Sequence, residues 1–190
     1  TAENLLLPMD EKQRTHFIQN ILDSNKHMDK LVTRLLELSR IERREALKNI
    51  TTLNIKAVVN NVLKAPIRVK TIAIKGLKIE LNIENNGEIS AEKLLLEQAI
   101  GNIINNAIDF SPKGGTITIK ASETNTAVTI MVLDEGPGMP DHVLRKLFTR
   151  FFSVSRPDTG KRGNGLGLRF VRKIMQLHGG EITLQNRFLQ

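Results

Sequence analysis

Two glycine-containing strings combine residues suited to a purine nucleotide. Asp134-Glu135-Gly136-Pro137-Gly138-Met139 follows a strand-like apolar run, and Gly163-Asn164-Gly165-Leu166-Gly167-Leu168 opens a predicted helix. The Asp134 carboxylate can accept a hydrogen bond from the exocyclic amine that adenine presents where guanine has a carbonyl. Gly136 and Gly138 allow close approach to a flat ring. Glycines before a helix N-terminus suit phosphate, because free N–H groups and the helix dipole favour an anion. The strings predict an adenine nucleotide pocket.

A third element, upstream of both strings, supplies candidate metal ligands. At helical spacing Gln98, Asn102 and Asn106 share one face of a predicted helix. The opposite, buried face is formed by Ala99, Ile100, Ile103, Ala107 and Ile108. Carboxamide oxygens are hard, neutral ligands that suit Mg²⁺, which takes phosphate oxygens and waters as its other ligands. An Asn-rich surface helix is the alternative, but Asn is a poor helix former, and its repeated use favours a function.

In their order, the motifs resemble the catalytic core of a sensor histidine kinase of two-component signalling, on the ATPase fold of gyrase, Hsp90 and MutL. Asn102 and Asn106 resemble the N box, and Asp134-Glu135-Gly136-Pro137-Gly138 resembles the D-x-G-x-G box. Phe148-Thr149-Arg150-Phe151-Phe152 resembles the F-x-R-F box, and Gly163-Asn164-Gly165-Leu166-Gly167-Leu168 resembles the G-x-G-L-G-L box. The resemblance covers nearly the whole chain.

This resemblance implies ATP and Mg²⁺ as cofactors and phosphoryl transfer to a histidine as the reaction. The implied ATP-binding residues are Asn102, Asn106, Asp109, Asp134, Gly136, Gly138, Met139, Phe148, Arg156, Lys161, Arg162, Gly163, Gly165, Leu166, Gly167 and Leu168. Asn102 and Asn106 are the implied metal ligands, and with Gln98 they are the candidate catalytic residues. Gln98 stands where hydrolytic relatives have a Glu that activates water, which favours transfer over hydrolysis.

Two short segments of the sequence make the resemblance more specific, and one site departs from the family pattern. Asn106-Ala107-Ile108-Asp109-Phe110-Ser111-Pro112 and Phe152-Ser153-Val154 resemble the carbon-source-responsive CreC-type kinases. The family commonly has Lys and Tyr where Asp109 and Phe110 stand, so a usual phosphate-side cation is absent. The stretch 153–162 is polar, basic and poor in core residues, which predicts a mobile lid. Compensating cations are expected from this lid, at Arg156, Lys161 and Arg162.

The predicted fold class is α+β: a two-layer α/β sandwich of the Bergerat (GHKL) type, preceded by a long helix. That helix, residues 11–44, carries an apolar seam at heptad spacing, made by Ile21, Met28, Leu31, Leu35 and Leu38. One helix cannot bury this seam unaided. The resemblance implies the second helix of a dimerising hairpin, with residues 1–7 ending the first helix and Pro8 in the turn. A surface helix docked on its own domain is the alternative.

The domains are expected at residues 1–46, a partial hairpin, and 50–190, the ATP-binding domain, with the linker near 45–49. Predicted strands are 50–54, 77–83, 88–90, 116–121, 127–133 and 180–184, with a turn at 85–87. Predicted helices are 55–74, 91–110 and 166–177. Pro66 is expected to end or kink the first of these helices.

A histidine kinase also needs a phosphoacceptor, which the family places in H-E-x-[KR]-x-P on the first hairpin helix. The four histidines, at 16, 27, 142 and 178, do not match this pattern, so no phosphoacceptor is assigned. His178 ends a predicted helix, where a positive charge suits the dipole. We expect the chain to begin just after the phosphoacceptor segment and to bind ATP without labelling itself.

Composition limits the function classes. The 190 residues carry a net charge of +8, but no Trp or Tyr, and the seven Phe lie outside any basic stripe, which argues against nucleic acid. Zero Cys excludes disulfides and thiolate metal sites. Expected partners are a second copy through the hairpin and a response-regulator receiver domain. No apolar run approaches the roughly 20 residues of a membrane span, and a cytoplasmic domain of an inner-membrane parent is expected.

Two rival functions stay open on sequence alone. A gyrase- or MutL-type ATPase shares the glycine boxes, but the chain length and the preceding heptad helix argue against it. A non-catalytic nucleotide-binding switch is opposed by the intact asparagines and glycines, and mildly favoured by Asp109.

Overall fold

The computed structural model describes residues 10–83, 87–124, 126–160 and 162–186. The helices are α1 (Glu11–Glu42), α2 (Ile55–Leu63), α3 (Pro66–Lys75), α4 (Lys93–Phe110), α5 (Asp141–Leu144) and α6 (Gly167–Leu177). The strands are β1 (Ile50–Asn54), β2 (Lys78–Ile83), β3 (Glu88–Glu92), β4 (Thr116–Glu123) and β5 (Val128–Leu133). The chain divides into two compact units between Arg40 and Ile41. The predicted hairpin segment 1–8 and turn residues 85 and 86 lie outside the described residues.

The first unit contains most of α1, which a capping box begins. The backbone N–H of Gln13 donates to Asp10 Oδ1 (2.7 Å), and the N–H of Asp10 donates to Gln13 Oε1 (3.2 Å). The helix ends within two residues of its predicted end, as expected of an unbroken heptad pattern. Its exposed large apolar side chains are Ile18, Leu22, Met28, Val32, Leu35 and Leu36. A helix in water gains nothing from this exposed stripe, so the stripe is suited to burial against a further apolar surface.

Two sheets form the strand layer of the second unit. Strands β1 and β3 pair antiparallel, and the three-stranded sheet has the order β2-β4-β5. Strands β2 and β4 run parallel, while β4 and β5 run antiparallel. The prediction that the strand beginning near 127 pairs with β4 is confirmed. Strand β3 follows β2 in the sequence but pairs with β1, so these consecutive strands belong to different sheets.

The helices and sheets of the second unit share one hydrophobic core. Its buried members are Ile55, Val58, Val59, Val62, Leu77, Ala91, Leu96, Ile100, Ile104, Ala107, Ile108, Ile117, Ile119 and Ala121. Ile117 and Ile119 alternate inward along β4, as period-two strand geometry requires. Helix α4 crosses this core and buries Ile104 fully, whereas the predicted Ile103 is only half-buried. A fully buried Ile contributes about 1.5–3 kcal/mol. The core therefore fixes which face of α4 carries its polar residues.

Caps and breakers set the ends of the helices near this core. Asn54 Oδ1 accepts from the backbone N–H of Ala57 (2.9 Å) and begins α2. Pro66 occupies the first turn of α3, where its missing N–H costs nothing. The prediction that Pro66 ends or kinks the helical stretch is confirmed. Gly76 ends α3 with φ of 64°, a left-handed conformation that favours glycine.

The predicted strand at 180–184 is wrong, because residues 180–186 form neither a strand nor a helix. The segment is instead held by a side chain. Asn186 Oδ1 accepts from the N–H of Met139 (2.8 Å), and its Nδ2 donates to the Met139 carbonyl (2.7 Å). A carboxamide can copy the donor and acceptor of a peptide group, so the Asn186 side chain pairs with the Met139 backbone as a peptide group would.

Two carboxylates tie down the segment that follows α1. Arg44 donates to both oxygens of Glu92 (2.9 and 2.7 Å), and the N–H of Lys48 donates to the same carboxylate (2.7 Å). The hydrogen bond from Arg44 lowers the pKa of Glu92. Glu42 accepts from Arg169 (2.7 Å) and also pairs with Arg150. Residues 42, 44 and 48 are therefore held by side chains and backbone groups of the second unit, to which they belong.

His178 connects β3 to the end of α6. The backbone N–H of Glu92 donates to its Nε2 (3.2 Å), and its Nδ1 lies 2.8 Å from the Ile174 carbonyl oxygen. The ring therefore bridges the last residue of β3 and the last turn of α6.

Within the described residues, the helices are either too short or too polar to cross a bilayer.

Candidate functional site

The face of α4 that carries the asparagines lies against the start of α6. Asn102 Nδ2 donates to the Gln98 carbonyl one turn earlier (2.9 Å), which orients its amide oxygen away from the helix. That oxygen lies beside Gly167, where an added Cβ would be 3.2 Å from it. Gln98, Asn102 and Asn106 are all half-buried, as a face that lines a pocket should be. The structure thus brings together the N box and the last glycine of the G box.

The third asparagine of α4 has a different environment. Asn105 Oδ1 accepts from Arg68 Nε (2.8 Å), and Arg68 Nη1 donates to the Val62 carbonyl (2.7 Å). Burial lowers the pKa of Arg68. Gly101 makes room for this guanidinium, since an added Cβ would lie 2.4 Å from Arg68 Nη2. Asn105 therefore joins α4 to α3 and does not belong to the pocket.

The D box follows β5 directly and meets the end of α4. Asp134 Oδ1 accepts from the N–H of Gly136 (2.8 Å), a local turn that fixes the orientation of the half-buried carboxylate. A Cβ on Gly136 would lie 2.7 Å from that oxygen and 3.0 Å from the Phe110 carbonyl. A side chain at residue 136 would force these neighbours to shift, so glycine permits the close approach by which the D box meets the end of the N-box helix.

The F box and the G box are packed backbone to backbone. Gly165 has φ of 64°, and an added Cβ would lie 2.5–2.7 Å from backbone atoms of Phe151 and Phe152. Phe148 is half-buried and lies under Arg172, whose Cζ is 5.6 Å from the ring centroid. The i, i+3, i+4 spacing of the phenylalanines at 148, 151 and 152 predicts core residues, but Phe151 is 62% exposed with φ of 61°, so this prediction is wrong for Phe151. Its backbone is committed to the contact with Gly165 and turns the ring outward.

A recess of about 520 Å³ lies along these two boxes. It is lined by Phe151, Phe152, Ser153, Val154, Ser155, Arg162 and Gly163. Gly163 has open space where a Cβ would stand. The recess is next to the lid, defined as residues 153–162, and not next to Asp134.

Two ion pairs and one β-bridge hold the described residues of the lid, 153–160 and 162. Ser155 and Arg162 form an isolated antiparallel bridge. Arg156 Nη2 lies 2.6 Å from Asp109 Oδ2, and Lys75 Nζ lies 2.7 Å from Asp158 Oδ2. Burial raises the pKa of Asp109, and the charges of Arg156 and Lys75 oppose that rise. The predicted lid cation Lys161 lies outside the described residues.

Lys75, Asp158 and Glu42 form ion pairs that the sequence did not predict. Lys75 ends α3, Asp158 stands in a polar loop, and Glu42 ends a charged helix, so each resembles an ordinary surface residue in the sequence. The one available signal was Asp109 itself. An acid in place of the family's cation predicts that a basic partner lies nearby.

The donor set fits Mg²⁺ bound together with a nucleotide. No group of three or more His, Cys, Asp or Glu that could hold a metal occurs among the described residues. The oxygen of Asn102 is directed outward, and Asn106 lies one turn away on the same face. Neutral amide oxygens bind Mg²⁺ only weakly unless phosphates and waters complete the octahedron. A cation at this face would therefore depend on the nucleotide.

The fold, the shared corner of the D box and α4, and the apposition of N and G boxes define an ATPase domain of the histidine kinase class. Residues 91–188 match the family described as histidine kinase-, DNA gyrase B- and HSP90-like ATPases. The chain belongs to this family.

Individual relatives agree with this assignment. The sensor protein CreC of Escherichia coli (strain K12) is 40% identical over 171 residues, which is 90% of this chain and 35% of CreC. The catalytic domain of histidine kinase ThkA is 26% identical with a TM-score of 0.64, over 74% of this chain and 90% of that chain. The structure of ThkA with the response regulator TrrA shares the fold, with a TM-score of 0.71 at 23% identity, over 95% and 49%.

Several predictions are confirmed by these comparisons. The chain is a sensor histidine kinase catalytic domain of the nucleotide-using α+β ATPase class, preceded by a long helix. The gyrase-type and switch alternatives are not favoured. The resemblance to CreC-type kinases is confirmed. The chain spans about a third of the length of CreC (35%), so the comparison describes one part of such a kinase and not the activity of a whole protein.

Proposed function

We propose that this domain binds ATP with Mg²⁺ and transfers the γ-phosphoryl group to a histidine on the first helix of a dimerisation hairpin. The phosphoryl group would then pass to an aspartate of a response regulator. The observation that carries the proposal is the approach of Asn102 Oδ1 to Gly167. This contact supports the proposal, because the Asn102 amide oxygen lies beside the first turn of α6, where backbone N–H groups favour phosphates.

The base and the phosphates would be bound at two ends of one pocket. Asp134 would accept from the adenine amine, since its carboxylate is fixed by Gly136. The N–H groups after Gly163 and Gly165 would approach the phosphates. Asn102 and Asn106 would hold Mg²⁺, which supplies charge neutralisation between the phosphate oxygens when bound.

The side chains on the N-box face of α4 favour phosphoryl transfer over ATP hydrolysis. Gln98 is the residue one turn before Asn102, and a carboxamide is neither a base nor an acid at neutral pH. Water near the γ-phosphate would therefore remain unactivated. The protein's contribution is position and charge stabilisation, which suffices for phosphoryl transfer to a nucleophile held in line.

We also propose the partners that this chemistry requires. The exposed stripe of α1 would pair with a second copy and with the first hairpin helix, forming a four-helix bundle. A response-regulator receiver domain would bind there; histidine kinase ThkA, which shares the fold, has been crystallised in complex with the response regulator TrrA. The parent protein would be anchored in the inner membrane, with this domain in the cytoplasm. The domain boundaries would be 1–46 and 50–190.

Labelled ATP tests the proposal directly. The purified chain is incubated with [γ-³²P]ATP and Mg²⁺, alone and with a hairpin fragment that carries H-E-x-[KR]-x-P. We expect binding without self-labelling, and acid-labile, base-stable phosphate on the fragment. N102A should abolish the labelling. Release of inorganic phosphate without labelled fragment would show a hydrolase, and labelling of His16, His27, His142 or His178 would show that the acceptor was misplaced.

A further inference from the structure

The two ion pairs of the lid differ in how firmly each is built. Lys75 Nζ donates to the carbonyls of Ile108 (2.8 Å) and Ser111 (2.7 Å) and to Asp158 Oδ2 (2.7 Å), and the Asp109 carbonyl lies farther away at 3.4 Å. An ammonium has three protons, and the three nearest acceptors use them all. The Lys75 side chain is only 10% exposed. This cation is therefore fixed by the protein and has no proton left for a ligand.

The pair between Arg156 and Asp109 has the opposite character. The Arg156 side chain is 36% exposed, and a guanidinium has five donors, of which Asp109 takes one at 2.6 Å. Phosphate oxygens are stronger partners for a guanidinium than one carboxylate oxygen, because they carry more charge and accept in a fork. The partner of Arg156 can therefore change from Asp109 to a phosphate without disrupting a helix or a strand.

Asp109 lies one turn after Asn106, at the end of the helix that carries the candidate metal ligands. An acid at that end of the pocket repels a polyphosphate unless a cation neutralises it. Arg156 neutralises it in the structure, and the ammonium of Lys75 also contributes charge there. Arg156 and Asp158 are two positions apart in the lid. The ion pair of Asp158 with Lys75 therefore holds Arg156 close to Asp109.

We propose that Lys75 is a lid-positioning residue: its pair with Asp158 is a fixed anchor that keeps Arg156 within reach of the phosphates, which replace Asp109 as the partner of Arg156. This inference rests on the proposed nucleotide site. It explains how a pocket with an acid in place of the family's cation binds a polyanion. The cation arrives on the lid, and Asp109 holds it until phosphates displace the carboxylate.

Two substitutions of the same chemistry separate this proposal from plain charge effects. D158N and D109N each remove one negative charge from a carboxylate of similar exposure, 28% and 29%. Simple Coulomb repulsion predicts that both tighten MgATP binding. The proposal predicts opposite signs. D158N should weaken MgATP by about three- to tenfold because the anchor is lost, and D109N should tighten it by a similar factor because the competitor is lost.

Calorimetric titration of the full chain with MgATP and with adenosine is the test. Adenosine has no phosphates, so its affinity should be unchanged in both variants. In an R156Q background the effect of D158N should disappear, because the anchor then positions nothing. Equal signs for D158N and D109N, or a change in adenosine affinity, would overturn the inference while leaving the nucleotide site intact. Absence of MgATP binding by the unmodified chain would overturn the proposed function, and the inference with it.

Discussion

Gly165 gives the sharpest test of how the G box is built. Its φ of 64° is left-handed, and an added Cβ would lie 2.5–2.7 Å from the backbone of Phe151 and Phe152. In G165A the left-handed conformation costs about 1–2 kcal/mol. Moving two backbone segments apart adds about 1–3 kcal/mol, as overpacking does. We expect the free energy of unfolding to fall by about 2–5 kcal/mol.

Gly160 supplies the matched control. Its φ of 65° is nearly the same, but nothing lies within 4 Å of an added Cβ. G160A should therefore cost only the conformational part, about 1–2 kcal/mol. Urea unfolding of both variants, followed by circular dichroism, gives the difference of about 1–3 kcal/mol that belongs to the packing of the two boxes. Equal losses in G165A and G160A would refute the close approach.

Further predictions concern the asparagines, a carboxylate and the lid. N102A should remove most of the Mg²⁺-dependent ATP affinity and change the free energy of unfolding by less than about 1 kcal/mol. N105A should instead lower the free energy of unfolding by about 1–3 kcal/mol, because it unpairs Arg68, and should leave the metal dependence intact. Calorimetry and urea unfolding distinguish the two variants. Arg44 lowers the pKa of Glu92 below its ordinary value of 4.5. The stabilisation contributed by the ionised Glu92 carboxylate is therefore present above that value, and it is lost as the pH falls through the pKa of Glu92 in the folded protein. E92Q should cost about 1.5–3 kcal/mol at neutral pH and progressively less in acid, and a pH-independent loss would contradict this. Trypsin should cleave at Lys161 and Arg162 more slowly with saturating MgATP, and equal rates would exclude ordering of the lid.

Periodicity predicted most of the secondary structure because the pattern and the core agree. The heptad run of α1, the alternation along β4 and the break at Pro66 each follow from a local rule. The strand predicted at 180–184 is wrong because strand formation needs a pairing partner, which local alternation does not reveal. Residues 180–186 pair with no strand, and Asn186 instead contacts Met139, which is far away in the sequence.

The candidate site likewise has residues that the sequence predicted and residues that it did not. Its glycine boxes and asparagines are recognisable because each needs a particular residue type at a particular spacing. Their partners are ordinary residues brought in by the fold, such as Lys75 at the end of α3 and Glu42 at the end of α1. Asn102 and Asn105 show the limit most clearly. They have the same residue type on the same helix, and only packing against Arg68 separates a structural amide from a candidate ligand.

The chemistry of the pocket depends first on Asp134, so nucleotide selectivity tests the central claim most directly. Calorimetric titration of the chain with MgATP and MgGTP should show at least about a tenfold preference for ATP, because the guanine carbonyl would face the carboxylate and leave both acceptors unpaired at about 1–3 kcal/mol. D134N should lose this preference and bind ADP poorly. Equal affinities for ATP and GTP, or normal ADP binding by D134N, would contradict the assignment of this corner of the fold as an adenine nucleotide site.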